Sequence, residues 1–349
     1  MKIFFFGRYE PHHARPHILM EALHSRGHTV IEYSSMSYAR LLLYSFRLLL
    51  SHADAVVVTG KLALVLSQLF RWRIPVLFDV FISDYQNLVR DRNIIRDNSV
   101  ISRFLRWNDK YSLYFSDIPF LDTATHRNYF EHTLHVSHGM ISLVPFGALA
   151  SRTPRKFPLI RKTFRVLFWG SFIPLHGIDV ILGAAKILKR KNYDKIHFDL
   201  CGRGQTWYMM RKKVKTDNLT NVSIHGFVPS LDPFVNRSHV VLGVFSSGEK
   251  NSLMIQTKIV EAMAFGKAII TRNAPGVSGI LVHGKNSLLI PPDNTYALVS
   301  AILLLYKNPA RAKLLGVHAR QSYKELMSPE KIGSILESLV LRAKNNSYI

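Results

Sequence analysis

The sequence predicts an α/β protein of two doubly wound, parallel-sheet domains. At 349 residues the chain is longer than one ordinary hydrophobic core requires. Short apolar runs alternate with helical patterns, which is the order typical of parallel sheets covered by helices on both faces. Residues 147–162, GALASRTPRKFPLIRK, are basic, contain two prolines and show no clear period. They indicate a linker between two halves with the same order of elements.

The first half is predicted to form a domain at residues 1–155. Pro16 at a helix start and Gly27 just past its end delimit one helix. Strands are predicted at 2–6, 29–33, 55–59, 75–79, 118–121 and 142–144, and helices at 16–26, 38–50, 62–70 and 124–131.

The same pattern restarts in a predicted second domain at residues 156–330. Strands are predicted at 165–169, 195–201, 222–225, 240–245, 268–271 and 287–290, and helices at 177–189, 257–265 and from about 295 onward. Residues 331–349 are predicted to form a helix that packs back toward the first domain. Two such domains facing a cleft predict a ligand site at the carboxyl ends of their strands.

The charge favours anionic partners. The formal net charge is +23, with 18 Lys and Arg against 12 Asp and Glu through residue 155, and 28 against 11 beyond it. Phosphates, anionic lipid heads and nucleic acid are the partner classes that such a balance attracts. No recognised RNA or DNA motif accompanies the charge, so we expect no nucleic acid partner.

Other classes are excluded by composition and pattern. The single Cys201 excludes an intrachain disulfide and a Cys-based zinc site, and the sixteen histidines lack metal-ligand spacing, so we predict no metal. No apolar run reaches about 20 residues and no secretory signal opens the chain, so we expect a cytoplasmic protein. Residues 38–50 could lie on the inner membrane face, an anionic surface; the alternative is a helix packed on the core.

The most informative segment is TKIVEAMAFGKAIIT, which begins at Thr257. Thr257 is predicted to cap a helix whose N-terminus suits a phosphate. Lys258 and, in the preceding loop, Lys250 add positive charge at the same end. Glu261 can accept hydrogen bonds from vicinal hydroxyls such as those of a ribose. The alternative is a surface ion pair between Lys258 and Glu261, with Thr257 only a cap.

Here the sequence resembles a known family. FWGSFIPLHGIDVILGAAKIL, FDLCGRGQ, TKIVEAMAFGKAIIT and NAPGVSGILVHGKNSLLIPPDN lie in order between about residues 165 and 319. Together they resemble the retaining GT-B glycosyltransferases of family 4. The resemblance implies a GT-B fold of two Rossmann-like domains, a nucleotide-diphosphate sugar as co-substrate, no further cofactor and no metal. It also implies a glycan or lipid-linked acceptor.

The resemblance assigns roles by position. Glu261 matches the family's second motif glutamate and would hold the donor ribose. The first motif glutamate is absent, because Leu253 stands eight positions before Glu261. A variant pattern with two lysines fits Lys250 and Lys258, which would neutralise the diphosphate.

Three further residues are predicted to contact the donor. Gly170 ends the second domain's first strand, and His176 follows at a helix start. Arg203 lies in a Gly-Arg-Gly turn after the next strand. For His176 the alternative is an exposed loop histidine, and for Arg203 an ordinary turn residue.

The first domain supplies the acceptor candidates. Gly7, Arg15 and Asp84 are predicted at the cleft, and Asp79 or His126 as a catalytic base. Each has a structural alternative: a tight turn for Gly7, a solvated flank for Arg15, a helix cap for Asp84 and a buried packing partner for Asp79.

The predicted function is that of a glycosyltransferase. Two alternatives remain open at this point. One is a nucleotide-sugar epimerase or hydrolase on the same fold, and the other is a polyanion-binding protein without catalysis.

Overall fold

The computed structural model describes residues 1–10, 13–81, 83–91, 94–149, 153, 155–158, 163–248 and 252–346. The chain divides into two compact units. Unit 1 combines Met1–Ala150 with Leu326–Ile349, and unit 2 comprises Ser151–Glu325. Among the described residues, no helix combines the length and the apolar character needed to cross a membrane.

Unit 1 contains a six-stranded parallel sheet of order β2-β1-β3-β4-β5-β6. The strands are β1 (Lys2–Gly7), β2 (Thr29–Ser34), β3 (Ala55–Thr59), β4 (Val76–Asp79), β5 (Ile118–Leu121) and β6 (Ser142–Leu143). The central strands β1, β3 and β4 are almost wholly buried because helices cover both faces of the sheet.

The α-helices in the described part of unit 1 are α1 (Ala14–His24), α2 (Tyr38–Leu49), α3 (Lys61–Ser67), α4 (Val100–Ser112), α5 (Ala124–Thr133) and α12 (Pro329–Asn346), and a short π-helix spans Gln86–Asp91. The last helix packs along α1. Helix α1 begins two residues before the predicted start, so Pro16 lies inside its first turn, where a missing N–H costs nothing. Helix α4 is absent from the elements predicted above.

Unit 2 repeats the architecture with sheet order β12-β11-β10-β7-β8-β9. Its strands are β7 (Phe164–Trp169), β8 (Ile196–Cys201), β9 (Val222–Gly226), β10 (Val240–Leu242), β11 (Ala268–Arg272) and β12 (Leu288–Ile290), all parallel. The helices are α6 (Ile178–Arg190), α7 (Trp207–Thr216), α8 (Asp232–Arg237), α9 (Thr257–Phe265), α10 (Thr295–Lys307) and α11 (Pro309–Leu326).

The predicted fold class, two doubly wound parallel sheets, is confirmed. In unit 2 the chain starts at β7, moves outward to β9 and returns on the other side of β7 with β10. The strand order therefore reverses between β7 and β10. In folds of this type, ligands bind beyond the carboxyl ends of the strands at such a reversal.

Candidate functional site

The carboxyl ends of β7 and β10 meet the N-terminus of α9 in unit 2. Gly170 directly follows β7, with a φ of +132°. A Cβ built on Gly170 would lie 2.8 Å from Nζ of Lys258 and 3.7 Å from Cε1 of His176. Three predicted donor-binding residues therefore converge here, and a side chain at position 170 would displace the lysine.

Lys258 is the centre of this arrangement. Its side chain is buried, and Nζ lies 4.0 Å from the ring centroid of Phe168. Among the described residues, no atom accepts a hydrogen bond from Nζ. Burial lowers the pKa of Lys258 to about 7, while the charge of Glu261 acts in the opposite direction. A surface ion pair between Lys258 and Glu261, the alternative drawn from the sequence, is therefore wrong.

Glu261 lies one turn further along α9. The indole Nε1 of Trp169 donates to its Oε2 at 3.0 Å. Trp169 is itself buried at the end of β7 and packs edge-on against Phe265. The carboxylate is thus held by a rigid donor from the neighbouring strand.

His176 ends a short 3-10 turn, Pro174–His176, beside the lysine. Its Nδ1–H donates to the carbonyl of Ser171. Burial and the charge of Lys258 lower the pKa of His176 to about 4. The ring is therefore neutral at pH 7, and Nε2 carries a lone pair that accepts from a hydroxyl and cannot donate to a phosphate.

The start of α9 differs from the prediction in one respect. Gln256, not Thr257, occupies the N-cap position, and the Gln256 side chain makes no capping hydrogen bond. Thr257 is the first helical residue. The capping role predicted for its hydroxyl is wrong, while the helix bounds and the left-handed Gly266 at the C-cap are as expected.

Arg203 lies in the turn after β8. Its guanidinium carbon is 5.2 Å from the ring centroid of Trp207, and its side chain is exposed. A Cβ built on Gly226, at the end of β9, would lie 3.2 Å from its Nε. Arg203 therefore stands at the same edge of the sheet as Gly170.

Sequence reasoning missed Arg272, the last residue of β11. Its buried guanidinium donates to the carbonyls of Ser246 and Gly248 and to Oγ of Ser252, the last at 3.0 Å. Arg272 thus ties together both ends of the loop that precedes α9. The sequence offered one indication of this role, namely an arginine directly after the apolar run AIIT at the end of a predicted strand. Lys250, predicted in this loop, lies outside the described residues.

In unit 1, Arg15 and Asp79 form a buried ion pair. Nε of Arg15 lies 2.9 Å from both carboxylate oxygens, and each side chain is 1% exposed. Burial raises the pKa of Asp79, and Arg15 opposes this shift. The solvated flank, the structural alternative for Arg15, is wrong, and a contact with the acceptor gains no support from this burial. The catalytic role predicted for Asp79 gains no support from these surroundings, which are those of a packing partner.

His126 is also fully buried. It lies in α5, with Nδ1 3.2 Å from Oδ1 of Asp122 and its ring against Phe130. These contacts are those of a packing partner, so the predicted role as a base gains no support either.

The remaining two residues of unit 1 are Gly7, at the end of a strand, and Asp84, in the helical segment after β4. Gly7 ends β1, where a Cβ would lie 2.7 Å from the carbonyl oxygen of Thr59 and also meet the Tyr9 ring. Asp84 is partly exposed and accepts from Nζ of Lys61 at 2.6 Å. Gly7 thus lies at the carboxyl edge of the sheet, and the acceptor contacts of both residues stay predictions.

No three His, Cys, Asp or Glu side chains within the described ranges are grouped so that they could hold a metal ion. Metal independence stays a prediction from the resemblance.

Comparison with known proteins identifies a family match within unit 2. The family model "Glycosyl transferases group 1" matches residues 163–308. An uncharacterized glycosyltransferase of Methanocaldococcus jannaschii is 29% identical over 161 residues, 46% of this chain and 43% of the relative. One of Bacillus subtilis is 27% identical over 217 residues, 61% and 58% of the two chains. The chain thus spans about half the length of the curated relatives it matches.

Solved structures are similar over the whole chain. Sucrose-phosphate synthase from Thermosynechococcus elongatus superposes with a TM-score of 0.75 at 14% identity, covering 99% of this chain and 100% of the other. Anabaena HepE in complex with UDP-glucose gives 0.73 at 15% identity, with 97% and 99% covered. At such identities the likeness shows the fold.

Proposed function

We propose that this chain, a GT-B protein with a group 1 glycosyltransferase domain at residues 163–308, transfers a sugar from a nucleotide-diphosphate sugar to a glycan or lipid-linked acceptor. The observation that carries the proposal is the buried Lys258 ammonium, which has no hydrogen-bond acceptor among the described residues. A desolvated cation without an anion is costly, and a diphosphate at this position would relieve that cost.

Three features support a diphosphate as the anion. Lys258 lies in the first turn of α9, where the helix dipole also favours negative charge. The absence of a side chain at Gly170 lets Nζ lie directly at the end of β7. The phosphate charge grows as the sugar bond breaks, so fixed positive charge here would stabilise the departing nucleotide.

Glu261 supports a nucleoside on the other side of the diphosphate. A carboxylate can accept from two vicinal hydroxyls, and the Trp169 indole fixes the orientation of this one. The neutral His176 would accept from a hydroxyl of the transferred sugar or of the ribose. We therefore assign the diphosphate to Lys258 and the ribose to Glu261, with Lys250 as the second cation predicted from the sequence.

The proposal also includes a uridine nucleotide as the donor and retention of configuration at the transferred sugar. HepE was solved with UDP and with UDP-glucose, which favours a uridine nucleotide as the first candidate. The resemblance to family 4 implies retention of anomeric configuration. Unit 1 would bind the acceptor, and a cytoplasmic location follows only from the sequence.

A screen of UDP-, GDP- and ADP-sugars by thermal shift, followed by calorimetry, tests the donor site. We expect one nucleotide class to raise the melting temperature and to bind the Lys258→Met variant much more weakly. Absence of binding by any nucleotide sugar would overturn the proposal. Turnover of the bound donor at the same rate with and without acceptors would favour a hydrolase instead.

A further inference from the structure

Helix α4 of unit 1 is amphipathic with its apolar face outward. Its buried positions are polar: Ser102, Asp109 and Ser112. Besides Arg103, its exposed positions are Val100, Ile101, Phe104, Trp107 and Tyr111, and this apolar stripe continues through Tyr114 and Phe115 of the 3-10 turn that follows. The spacing 100, 104, 107, 111, 114 keeps these side chains on one face.

The polar face is held inward by specific hydrogen bonds. Asp109 accepts from Oγ of Ser83 at 2.6 Å and from the backbone N–H of Tyr85 at 2.9 Å, and it pairs with Lys61. A carboxylate with this many donors is stable when buried. The orientation that exposes Phe104 and Trp107 is therefore fixed by tertiary contacts.

The two preceding helices extend the same surface. Helix α2 exposes Leu42, Leu43, Phe46 and Leu50, and α3 with its following turn exposes Leu62, Val65, Leu69 and Trp72. Nε2 of Gln68 donates to the carbonyl of Phe115 at 2.7 Å, which joins α3 to the end of the α4 stripe. Right-handed crossovers that advance in one direction along the sheet place α2, α3 and α4 on the same face. We call these exposed apolar side chains the outer patch.

The charges around the outer patch are positive. The sequences of α2, α3 and α4 contain one carboxylate, Asp109, and it is buried. Arg40, Arg47 and Arg103 are exposed among the apolar side chains. A water-exposed apolar surface of this extent marks an interaction site. Two exposed or partly exposed acids beside these helices, Asp84 and Asp97, are paired with Lys61 and Arg106. Arginines without an ion-pair partner among the described residues, set among apolar side chains, fit a partner that is apolar inside and negative at its surface.

We propose that the outer patch docks unit 1 onto the surface of an anionic lipid bilayer. Helix α4 would lie in the plane of the interface with Phe104 and Trp107 below the headgroups, and the arginines would contact lipid phosphates. Trp72, which is 77% exposed, would join Trp107 at the level that tryptophan prefers in membranes. The inference does not depend on the proposed transfer reaction.

Vesicle binding by the full chain tests this inference. We expect co-sedimentation with vesicles of equal phosphatidylcholine and phosphatidylglycerol, and at least tenfold weaker binding to phosphatidylcholine alone. Brominated lipids should quench tryptophan emission. The Trp72→Phe/Trp107→Phe variant should still bind but lose most of the quenching.

Matched variants distinguish binding through the outer patch from nonspecific binding to vesicles. Phe104→Ser/Trp107→Ser should weaken binding at least tenfold, whereas Leu314→Ser/Val317→Ser, two equally exposed residues on α11 of unit 2, should leave it unchanged. Arg47→Gln/Arg103→Gln should weaken binding several-fold, and the unit 2 control Lys212→Gln/Lys213→Gln much less.

Two results would overturn the inference. One is equal vesicle binding by the α4 variant and the wild type. The other is a lipid-free dimer, seen by sedimentation equilibrium, that the α4 variant dissociates, because the outer patch would then be an interface between two copies. Nucleotide binding by the vesicle-binding variants checks that they are folded. If the wild type binds vesicles but no nucleotide, the proposed function is contradicted and the membrane inference is not.

Discussion

Each unit buries a cation near the carboxyl edge of its sheet, and the surroundings of the two cations differ. In unit 1, Arg15 is matched by the carboxylate of Asp79. In unit 2, Lys258 has the ring of Phe168 beside it and, among the described residues, no acceptor. The Arg15 charge has its counter-charge in the folded protein, although its Nη1 has no hydrogen-bond partner among the described residues. Within the described part of the chain, the Lys258 ammonium has no such counter-charge within hydrogen-bond distance. We infer that Arg15 is a structural charge, and we propose Lys258 as a binding charge.

Removal of the partner in unit 1 is expected to have the largest effect. Asp79→Asn leaves the Arg15 guanidinium buried without its counter-charge, which should lower the free energy of unfolding of unit 1 by about 3–5 kcal/mol. Hydrogen exchange measured by mass spectrometry resolves the two units. An Arg15→Met/Asp79→Leu double variant should recover most of the loss, and an unchanged single variant would show that the pair is not structural.

Removal of the cation in unit 2 should act on binding instead. We expect Lys258→Met to weaken nucleotide-diphosphate binding about 100-fold, the loss of a charge-assisted contact of roughly 3 kcal/mol. Nucleoside binding and thermal stability should not fall, because the variant removes an unpaired buried charge.

Lys267 is the matched control. It is also a buried lysine of unit 2, but its Nζ donates to the carbonyl of Ser238 at 3.0 Å. Lys267→Met should therefore lower the melting temperature and leave nucleotide affinity unchanged. If Lys267→Met weakened nucleotide binding and Lys258→Met only lowered the melting temperature, Lys267 and not Lys258 would be the nucleotide-binding lysine.

The pH dependence sharpens the same comparison. The pKa of Lys258 is lowered to about 7 in the folded chain, against 10.5 for an ordinary lysine. Between pH 7 and pH 10.5 the unfolded chain keeps the proton on Lys258 and the folded chain loses it. The destabilisation caused by the buried ammonium is therefore largest below pH 7, and the free energy of unfolding rises from pH 7 toward pH 10.5. Binding of a nucleotide-diphosphate sugar needs the ammonium, so affinity should fall by up to about tenfold per pH unit above 7.

Calorimetry of a UDP-sugar in buffers of different ionisation enthalpy measures this linkage as proton uptake. The sugar ester is the right probe, since free UDP titrates in the same range. Lys258→Met should abolish the uptake, and equal uptake by the variant would assign the proton to another group.

The smallest expected effect concerns the donor to Glu261. Trp169→Phe keeps an aromatic ring in place and removes the hydrogen bond to Oε2. A neutral donor of this kind contributes about 0.5–1.5 kcal/mol, so nucleotide affinity should fall about two- to tenfold. Pyrophosphate affinity should stay the same, as should the affinities of the Trp207→Phe control.

The sequence predicted α9 well because its signals are local. The apolar period, the first residue Thr257 and the closing Gly266 together define its bounds. The strands of both sheets were also found as short apolar runs. Such patterns depend on neighbours along the chain, which the sequence displays directly.

The missed features depend on distant partners. The pair of Arg15 and Asp79 spans 64 positions, and no spacing rule connects them. Helix α4 was not predicted because sequence patterns place apolar side chains on the buried face of a helix. Here the buried face is polar, since Asp109 is held inward by Ser83 and Lys61. The role of Arg272 was not predicted because its acceptors, two backbone carbonyls and one serine hydroxyl, lie in a loop 20 or more positions earlier in the chain.

The position of α12 has a consequence for synthesis on the ribosome. Its residues Ile332, Leu336 and Val340 are buried in unit 1, and Arg26 of unit 1 pairs with Glu337 at 2.6 Å. The face of α1 that receives them is made early in translation, and α12 is made only after all of unit 2. Unit 2 can thus fold as it emerges from the ribosome. Unit 1 cannot complete its core until α12 has been synthesised, and the apolar face of α1 stays uncovered until then. A nascent chain stalled before residue 329 would expose that face to chaperones.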